Sequence, residues 1–336
     1  MNKIELFEHA LPKTPIQPLS GRYADNSIYV KRDDLIPFSF GGNKARKAAE
    51  FYKEISGTDT DVIMTYGSNS SNHCRIIANM AASMGLRCHV ISPNEHREVL
   101  YNTKLVEQFG AVIETCPVDR VAETIERRKE AYREEGFRPY FITGGGHGNP
   151  GTESYVKAYR EICRQEAEMG VRFDYIFHAS GTGATQAGLV CGQLLEAEEI
   201  RNRSDKENEG EDCCRKAQAA TDRKIVGISI ARVLAGGRNV VRESIRDYLG
   251  ERFDALYEDD KLIFTDAYRK GGYAEYDEQI TETIRTVMER EGIPMDTTYV
   301  GKAFSGMIQY LQEQGIRDKR ILFIHTGGAP LFFDKL

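Results

Sequence analysis

The chain has no excess of basic charge. Its 336 residues carry 45 lysines and arginines against 51 aspartates and glutamates, a net charge of −6. No positive field is available to hold nucleic acid. No apolar run approaches the length of a membrane span, and the first residues lack the basic-then-apolar pattern of a leader. These absences point to a cytoplasmic protein with neither a nucleic-acid nor a membrane partner. The seven cysteines, Cys74, Cys88, Cys116, Cys163, Cys191, Cys213 and Cys214, form no C-x-x-C pair, so neither a redox motif nor a zinc frame is offered. Most fall in segments that read as helices or strands, where a thiol is expected to be buried. The seven histidines show no H-E-x-x-H or related spacing. No metal site is expected, and there is no internal repeat.

What is present is a regular alternation in a chain long enough to bury a large core and form two subdomains. Leu11-Pro-Lys-Thr-Pro-Ile-Gln-Pro18 is a proline-spaced extended stretch, expected to lie across the body. Ile28–Lys31 reads as a short strand. Strands at Asp61–Thr65, Cys88–Ser92, Ala111–Thr115 and Tyr140–Thr143 then alternate with helices at 72–84, 96–109 and 118–135, each ended by a glycine. A helix at 151–169 leads to a strand at Asp174–Ala179 and a long helix reaching residue 200. Buried strands at Lys224–Ile230 and Arg320–His325 enclose further helices at 238–249, 277–291 and up to 314. This order implies βαβ units, parallel sheets and right-handed crossovers. Arg201 to Arg223 stands apart as a highly charged surface insertion. Its Cys213-Cys214 pair is either incidental to a solvated loop or a redox or metal sensor.

Two stretches carry chemistry. In Phe38-Ser-Phe-Gly-Gly-Asn-Lys44-Ala-Arg-Lys47, paired glycines allow a tight bend and close approach of something flat. Lys44 then projects from the first turn of a helix whose stripe is Ala45, Ala48, Ala49, Tyr52 and Ile55. The helix dipole disfavours a cation there. The position suits an amine that is neutral part of the time and can attack an aldehyde, although a surface lysine at a helix start also fits. The second stretch is Gly181, Thr182, Gly183, Ala184 and Thr185, between a buried strand and a helix. Its backbone N–H groups and hydroxyls make an anion cradle; a tight turn without a ligand is the plainer alternative. A dinucleotide fits less well, because no acidic residue closes the next strand at Ile230-Ala-Arg232. An isolated amine and a phosphate cradle together point to pyridoxal phosphate, whose ring nitrogen Thr326 or a neighbour would face. A neutral hydroxyl partner weakens the electron sink and favours elimination.

Five motifs occur in one order: Phe40-Gly-Gly-Asn-Lys44-x-Arg-Lys47, Ser70-Ser-Asn-His73-x-Arg75, Gly181-Thr-Gly-Ala-Thr-Gln-Ala-Gly188, Tyr299-x-Gly-Lys-Ala303 and His325-Thr-Gly-Gly328. Together they resemble the fold-type II pyridoxal-phosphate enzymes, in particular the D-cysteine desulfhydrase and 1-aminocyclopropane-1-carboxylate (ACC) deaminase family. The resemblance implies that Lys44 holds the cofactor and afterwards shuttles the α-proton. It implies that Asn72 faces the cofactor's 3-hydroxyl, that Ser71, Asn72 and His73 clamp the substrate carboxylate, and that residues 181–185 hold the phosphate. Tyr273 and Tyr299 match two active-site tyrosines, with core packing as the alternative for each.

The resemblance also narrows the reaction. ACC deaminases carry Gln, Glu and Leu where this chain has His73, Val300 and Thr326. His73 and Thr326 look like the desulfhydrase branch. Val300 fits neither pattern, and Gly67-Ser-Asn-Ser70 is unlike the usual stretch. D-cysteine is the leading substrate, yielding sulfide, pyruvate and ammonia. Other chemistry on a β-substituted amino acid (cysteate lyase, ACC deaminase, racemase or β-replacement synthase) remains the alternative. A non-catalytic binder would not need Lys44, and a nicotinamide oxidoreductase would lack a visible chromophore. The expected fold is α/β, with two open, twisted, mostly parallel-sheet subdomains like the tryptophan synthase β chain. Residues 1–49 and 156–336 would form the larger, 50–155 the smaller, with the cofactor in the cleft. A homodimer is implied by the family alone.

Overall fold

The computed structural model of the chain describes residues 11–94, 98–207 and 221–334, and its elements and counts are of those residues. The chain opens with β1 (Ile16–Tyr23) and β2 (Asn26–Lys31), followed by α1 (Asn43–Ser56), β3 (Val62–Tyr66), α2 (Asn72–Met84) and β4 (Arg87–Pro93). Next come α3 (Tyr101–Gln108), β5 (Val112–Cys116), α4 (Val121–Glu134), β6 (Pro139–Ile142) and α5 (Asn149–Met169). Then follow β7 (Tyr175–Ser180), α6 (Ala184–Glu207), β8 (Lys224–Ser229), α7 (Leu234–Leu249), the short α8 (Phe253–Leu256) and β9 (Ile263–Thr265). The last elements are α9 (Glu278–Glu291), α10 (Val300–Glu313), β10 (Arg320–Ile324) and α11 (Ala329–Phe333).

The chain divides into two compact units. Among the described residues, one contains 11–12, 34–94, 98–151 and 327–334; the other contains 13–33, 152–207 and 221–326. In the first, four parallel strands run in the order β5-β4-β3-β6. Helix α1 belongs here, whereas the sequence joined residues 1–49 to the larger subdomain. The reason is the alanine stripe. Ala45, Ala48, Ala49, Tyr52 and Ile55 share one core with Ile76, Ile77 and Met80 of α2, and small residues let the two helices approach closely. Ser71 caps α2, and Gly85 ends it in the left-handed conformation, φ 73°.

The second unit is built on a six-stranded sheet in the order β1-β2-β10-β7-β8-β9. All neighbours are parallel except β1 and β2, which form a hairpin. Its two-residue turn, Ala24-Asp25, has positive φ at both positions (48° and 58°), the geometry that matches strand twist. The sequence showed β1 only as a proline-spaced stretch. Pro18 is tolerated in a strand because β1 lies at the sheet edge, and the register shifts just beyond it. The hairpin is tied to α5 through Lys31, whose Nζ donates to Thr14 O at 2.7 Å, to Gln165 Oε1 at 2.6 Å and to Glu161. The central strands read as continuous apolar runs because both faces are covered. Phe177, Ile321, Leu322, Phe323 and Ile324 are fully buried, each contributing about 1.5–3 kcal/mol of burial.

The charged stretch from Arg201 differs from its reading as an insertion at both ends. Helix α6 continues to Glu207, and Arg223 is buried. Its guanidinium forms a two-pronged pair with Glu166, at 2.5 and 2.6 Å, and donates to Tyr159 Oη and Phe173 O. The Cys213-Cys214 pair lies outside the described residues. No helix among the described residues is long and apolar enough to cross a membrane.

Candidate active site

In the first unit the site begins with a strained arch. Ser39, Phe40, Gly41 and Gly42 all have positive φ (46°, 60°, 63° and 95°). Left-handed geometry costs about 1–2 kcal/mol at each of the two non-glycine positions. The arch turns the chain so that Lys44 emerges in the first turn of α1. It also brings backbone onto backbone, since a Cβ placed on Gly327 would stand 2.8 Å from the Cα of Gly42. Lys44 is half-buried, and its Nζ donates to Gly145 O at 3.0 Å. Lys47, fully buried one turn on, donates to the same carbonyl at 3.1 Å. Burial lowers the Lys44 amine to about 8. Burial, and then the neighbouring Lys44 charge, hold Lys47 well below the ordinary lysine range. Among the described residues no carboxylate pairs with either amine.

Sequence reasoning missed Lys47 and the Gly145 carbonyl. The signal was present in the Gly144-Gly-Gly run that leaves β6, where positive φ at Gly145 and Gly146 (74° and 65°) turns the carbonyl toward the lysines. It had no partner to explain it until α1 was placed.

Helix α2 supplies the second group. Ser71 Oγ accepts the Cys74 N–H at 3.2 Å as an N-cap. The N–H groups of Asn72 and His73 have no partner within the helix, because they lie in its first turn. They face outward with the dipole's positive end, as an anion site requires. The side chain of His73 is committed elsewhere. Thr65 Oγ1 gives its single proton to Ile142 O at 2.8 Å, so its 2.7 Å contact with His73 Nε2 must be a hydrogen bond donated by His73. Burial holds the imidazole neutral, its pKa well below the ordinary value, and Nδ1 therefore carries a lone pair. A lone pair cannot donate to a carboxylate, so only the His73 backbone N–H can take the clamping part that the sequence assigned to the residue.

The second unit holds the remaining candidates. Gly181, Thr182 and Gly183 link β7 to α6, and Ala184 and Thr185 open that helix. Gly183 (φ 100°) packs against Val240 and Val241. The loop's N–H groups lie at the positive end of a long helix, a cradle suited to a dianion. Tyr273 and Tyr299 are hydrogen-bonded through their hydroxyls, with ring centroids 5.8 Å apart. Both are held by α10. Asp296 accepts the N–H groups of Thr298, Tyr299 and Val300 at 2.9, 2.6 and 3.2 Å. Lys302, fully buried, donates to Gly272 O at 2.7 Å and to Ile230 O and Arg269 O, fastening the loop that carries Tyr273. Thr326, nearly buried, follows the end of β10. Val300 is fully buried at the start of α10.

Comparison with known proteins adds a family. A family described as pyridoxal-phosphate dependent enzyme matches residues 5–327. The chain belongs to that family. Pyridoxal phosphate is therefore its cofactor. The chain is similar to D-cysteine desulfhydrase of Serratia proteamaculans, 32% identical over 345 aligned positions that cover 98% of this chain and 95% of the relative. The protein of the same name from Salmonella choleraesuis is 31% identical and covers 95% of this chain, with 93% of its own length matched. A crystal structure described as an ACC deaminase homologue superposes with a TM-score of 0.80 at 30% identity, covering 99% of this chain and 98% of that one. An O-ureido-L-serine synthase shares the fold at 16% identity, with a TM-score of 0.64 and 95% of its own chain covered.

The donor set fits this cofactor. Lys44 and Lys47 share one carbonyl acceptor and have no carboxylate partner among the described residues, so an anionic cofactor and substrate would supply the charge they lack. The lowered amine also suits cofactor attachment, because only a neutral amine attacks an aldehyde. At pH 7 an amine at about 8 is neutral in about one molecule in ten, against one in a few thousand for an ordinary lysine. Cofactor uptake by the apoprotein is accordingly expected to quicken about tenfold from pH 6 to 7 and level off above 8. Stopped-flow absorbance of the visible band measures it; a rate still climbing at pH 10 would show an unperturbed lysine.

Proposed function

We propose that this enzyme is a lyase that removes the β-substituent of a small amino acid, D-cysteine first among the candidates. The observation that carries the reading is the placement of Lys44, in the first turn of α1 with its Nζ on Gly145 O at 3.0 Å and no carboxylate pairing with it among the described residues. The names of the relatives support the choice of substrate. Pyridoxal phosphate, when bound, supplies an aldehyde for a lysine amine and a ring that draws off the electrons left when an α-proton is removed.

Each group has a part. Lys44 would hold the cofactor, and its amine would take the α-proton, a task suited to a base with a lowered pKa. The N–H groups of Asn72 and His73, with the Ser71 hydroxyl, would hold the substrate carboxylate, and the Asn72 amide would donate to the cofactor's 3-oxygen. Lys47 in the first unit and the cradle at 181–185 in the second would balance negative charge. Thr326 would offer the ring nitrogen a neutral hydroxyl partner. The paired hydroxyls of Tyr273 and Tyr299 would give a proton to the sulfur that leaves. With water, D-cysteine then yields sulfide, pyruvate and ammonia.

The test is product release by the purified holoenzyme from D-cysteine, L-cysteine and ACC. Sulfide and pyruvate in equal amounts from D-cysteine, with nothing from ACC, is the expected result. A visible band with no sulfide from D-cysteine rejects that substrate and turns attention to other β-substituted amino acids, with buried Val300 as the departure to probe.

A further inference from the structure

Asn72 is held by two side chains that no part of the reaction uses. Its Oδ1 lies 3.3 Å from Arg75 Nη2 and 3.0 Å from Asn102 Nδ2. An amide's oxygen and nitrogen are hard to tell apart by shape, but a guanidinium has donors only. The Asn72 atom facing Arg75 must therefore be oxygen. Asn102 is fixed in the same way. Its Nδ2 faces two acceptors, Asn72 Oδ1 and Ser70 O, the latter at 3.0 Å. With the oxygen of Asn72 held from two sides, its NH2 limb is the end left for a ligand.

This arrangement is costly to the fold. Asn102 is 1% exposed and Arg75 is fully buried. The Asn102 Oδ1 and the Arg75 Nε are both buried without a hydrogen-bond partner, and such atoms are rare because each forfeits its hydration. Arg75 also has no carboxylate among the described residues. Its other nitrogen, Nη1, donates to Ser39 Oγ at 3.2 Å, and the guanidinium lies 5.6 Å from the Phe40 ring. Arg75 thus joins the arch before Lys44 to the amide at the head of α2. Asn102 reaches the same amide from α3, 30 residues away in the chain. Leucine and methionine would fill both positions without orphaned atoms. What they would not do is orient an amide.

We infer that Asn102 and Arg75 are positioning residues that lock the Asn72 amide with its NH2 group toward the ligand. This rests on the proposed function, in which Asn72 meets the cofactor's 3-oxygen. An N–H donor there favours the anionic oxygen and hence the form that absorbs in the visible. A flipped amide would present its carbonyl and oppose it.

The decisive variant is Asn102→Asp in the holoenzyme. It replaces the donor that faces Asn72 Oδ1 and Ser70 O by an acceptor, so the amide oxygen is repelled on one side and loses one of its two holds. A melting temperature taken beside each spectrum separates loss of fold from loss of orientation. The visible band should weaken in favour of near-ultraviolet absorbance, with its pH midpoint raised. The kcat should fall about tenfold, the effect of one hydrogen bond lost or reversed, with KM little changed. Asn102→Leu removes the donors and the orphaned oxygen together, and a smaller shift of the same sign is expected; it carries the test if the Asp variant does not fold. A wild-type spectrum and kcat in the folded variants overturn the inference. Asn72→Ala separates this from failure of the underlying reading. If that change also leaves the visible spectrum untouched, Asn72 does not meet the cofactor at all. If it alters the spectrum while both Asn102 variants do not, only the positioning role is lost.

Discussion

Lys44→Ala is expected to remove the visible absorbance of the cofactor-loaded protein and to lower turnover by at least about a thousandfold, as loss of a covalent nucleophile does. The change should not weaken the fold. Lys44 is a half-buried cation whose charge is disfavoured by burial, and its Nζ has a single carbonyl acceptor. Removing it also relieves Lys47, whose own charge it opposes. A melting temperature at or above that of the parent, both measured without cofactor, with the band and turnover gone, assigns the loss to chemistry. Partial recovery with an added small amine would strengthen that assignment, since a free amine can take the proton that Lys44 no longer can. Lys47 is the built-in control, because it donates to the same Gly145 carbonyl. A Lys44→Ala protein that keeps its visible band and its turnover without added amine would transfer the cofactor to Lys47 and remove Lys44 from the mechanism.

The largest effect on stability is expected at Arg223→Met, about 3–5 kcal/mol in urea unfolding. Arg223 uses three nitrogens on four acceptors, Glu166 twice, Tyr159 Oη at 3.1 Å and Phe173 O at 3.1 Å. Methionine fills much of the volume but leaves the Glu166 carboxylate buried without its counter-charge, holding only the Phe173 N–H at 2.7 Å. Removing one partner of a buried pair costs far more than removing both, because the survivor has lost its hydration and has nothing to replace it. The double variant Glu166→Leu with Arg223→Met should therefore recover most of the loss. A single variant that loses less than about 1 kcal/mol would match an exposed pair instead. That outcome would restore the reading of Arg223 as the end of a solvated insertion.

The two residues differ in how far their roles could be foreseen. Lys44 announced itself locally. Two glycines, an asparagine and a helix stripe are enough to say that an amine leaves a tight bend at a helix start. The alternation of apolar runs with amphipathic helices likewise implied parallel sheets, because the two periods differ and each strand must be covered on both faces. The glycines at 85, 110 and 136 marked helix ends for the same local reason.

Arg223 carried no such mark. In a stretch crowded with charges, one arginine looks like the next, and only the placement of Glu166 and Tyr159 on α5 makes it a core residue. The hairpin β1 was hidden by prolines that a central strand could not accept and an edge strand can. Residues 34–49 went to the smaller sheet because α1 shares its core with α2, a matter of which surfaces fit. Lys47 lay in plain view within the motif, yet its lowered pKa depends on its burial in the fold and on the Lys44 amine beside it. The direction of the Asn72 amide depends on Asn102 and Arg75, and the tautomer of His73 on Thr65 and Ile142. Composition and pattern thus reach as far as backbone conformation and the identity of the reactive groups, which are set by neighbours in the chain. Protonation, hydrogen-bond direction and burial belong to the folded molecule, because they are set by neighbours in space.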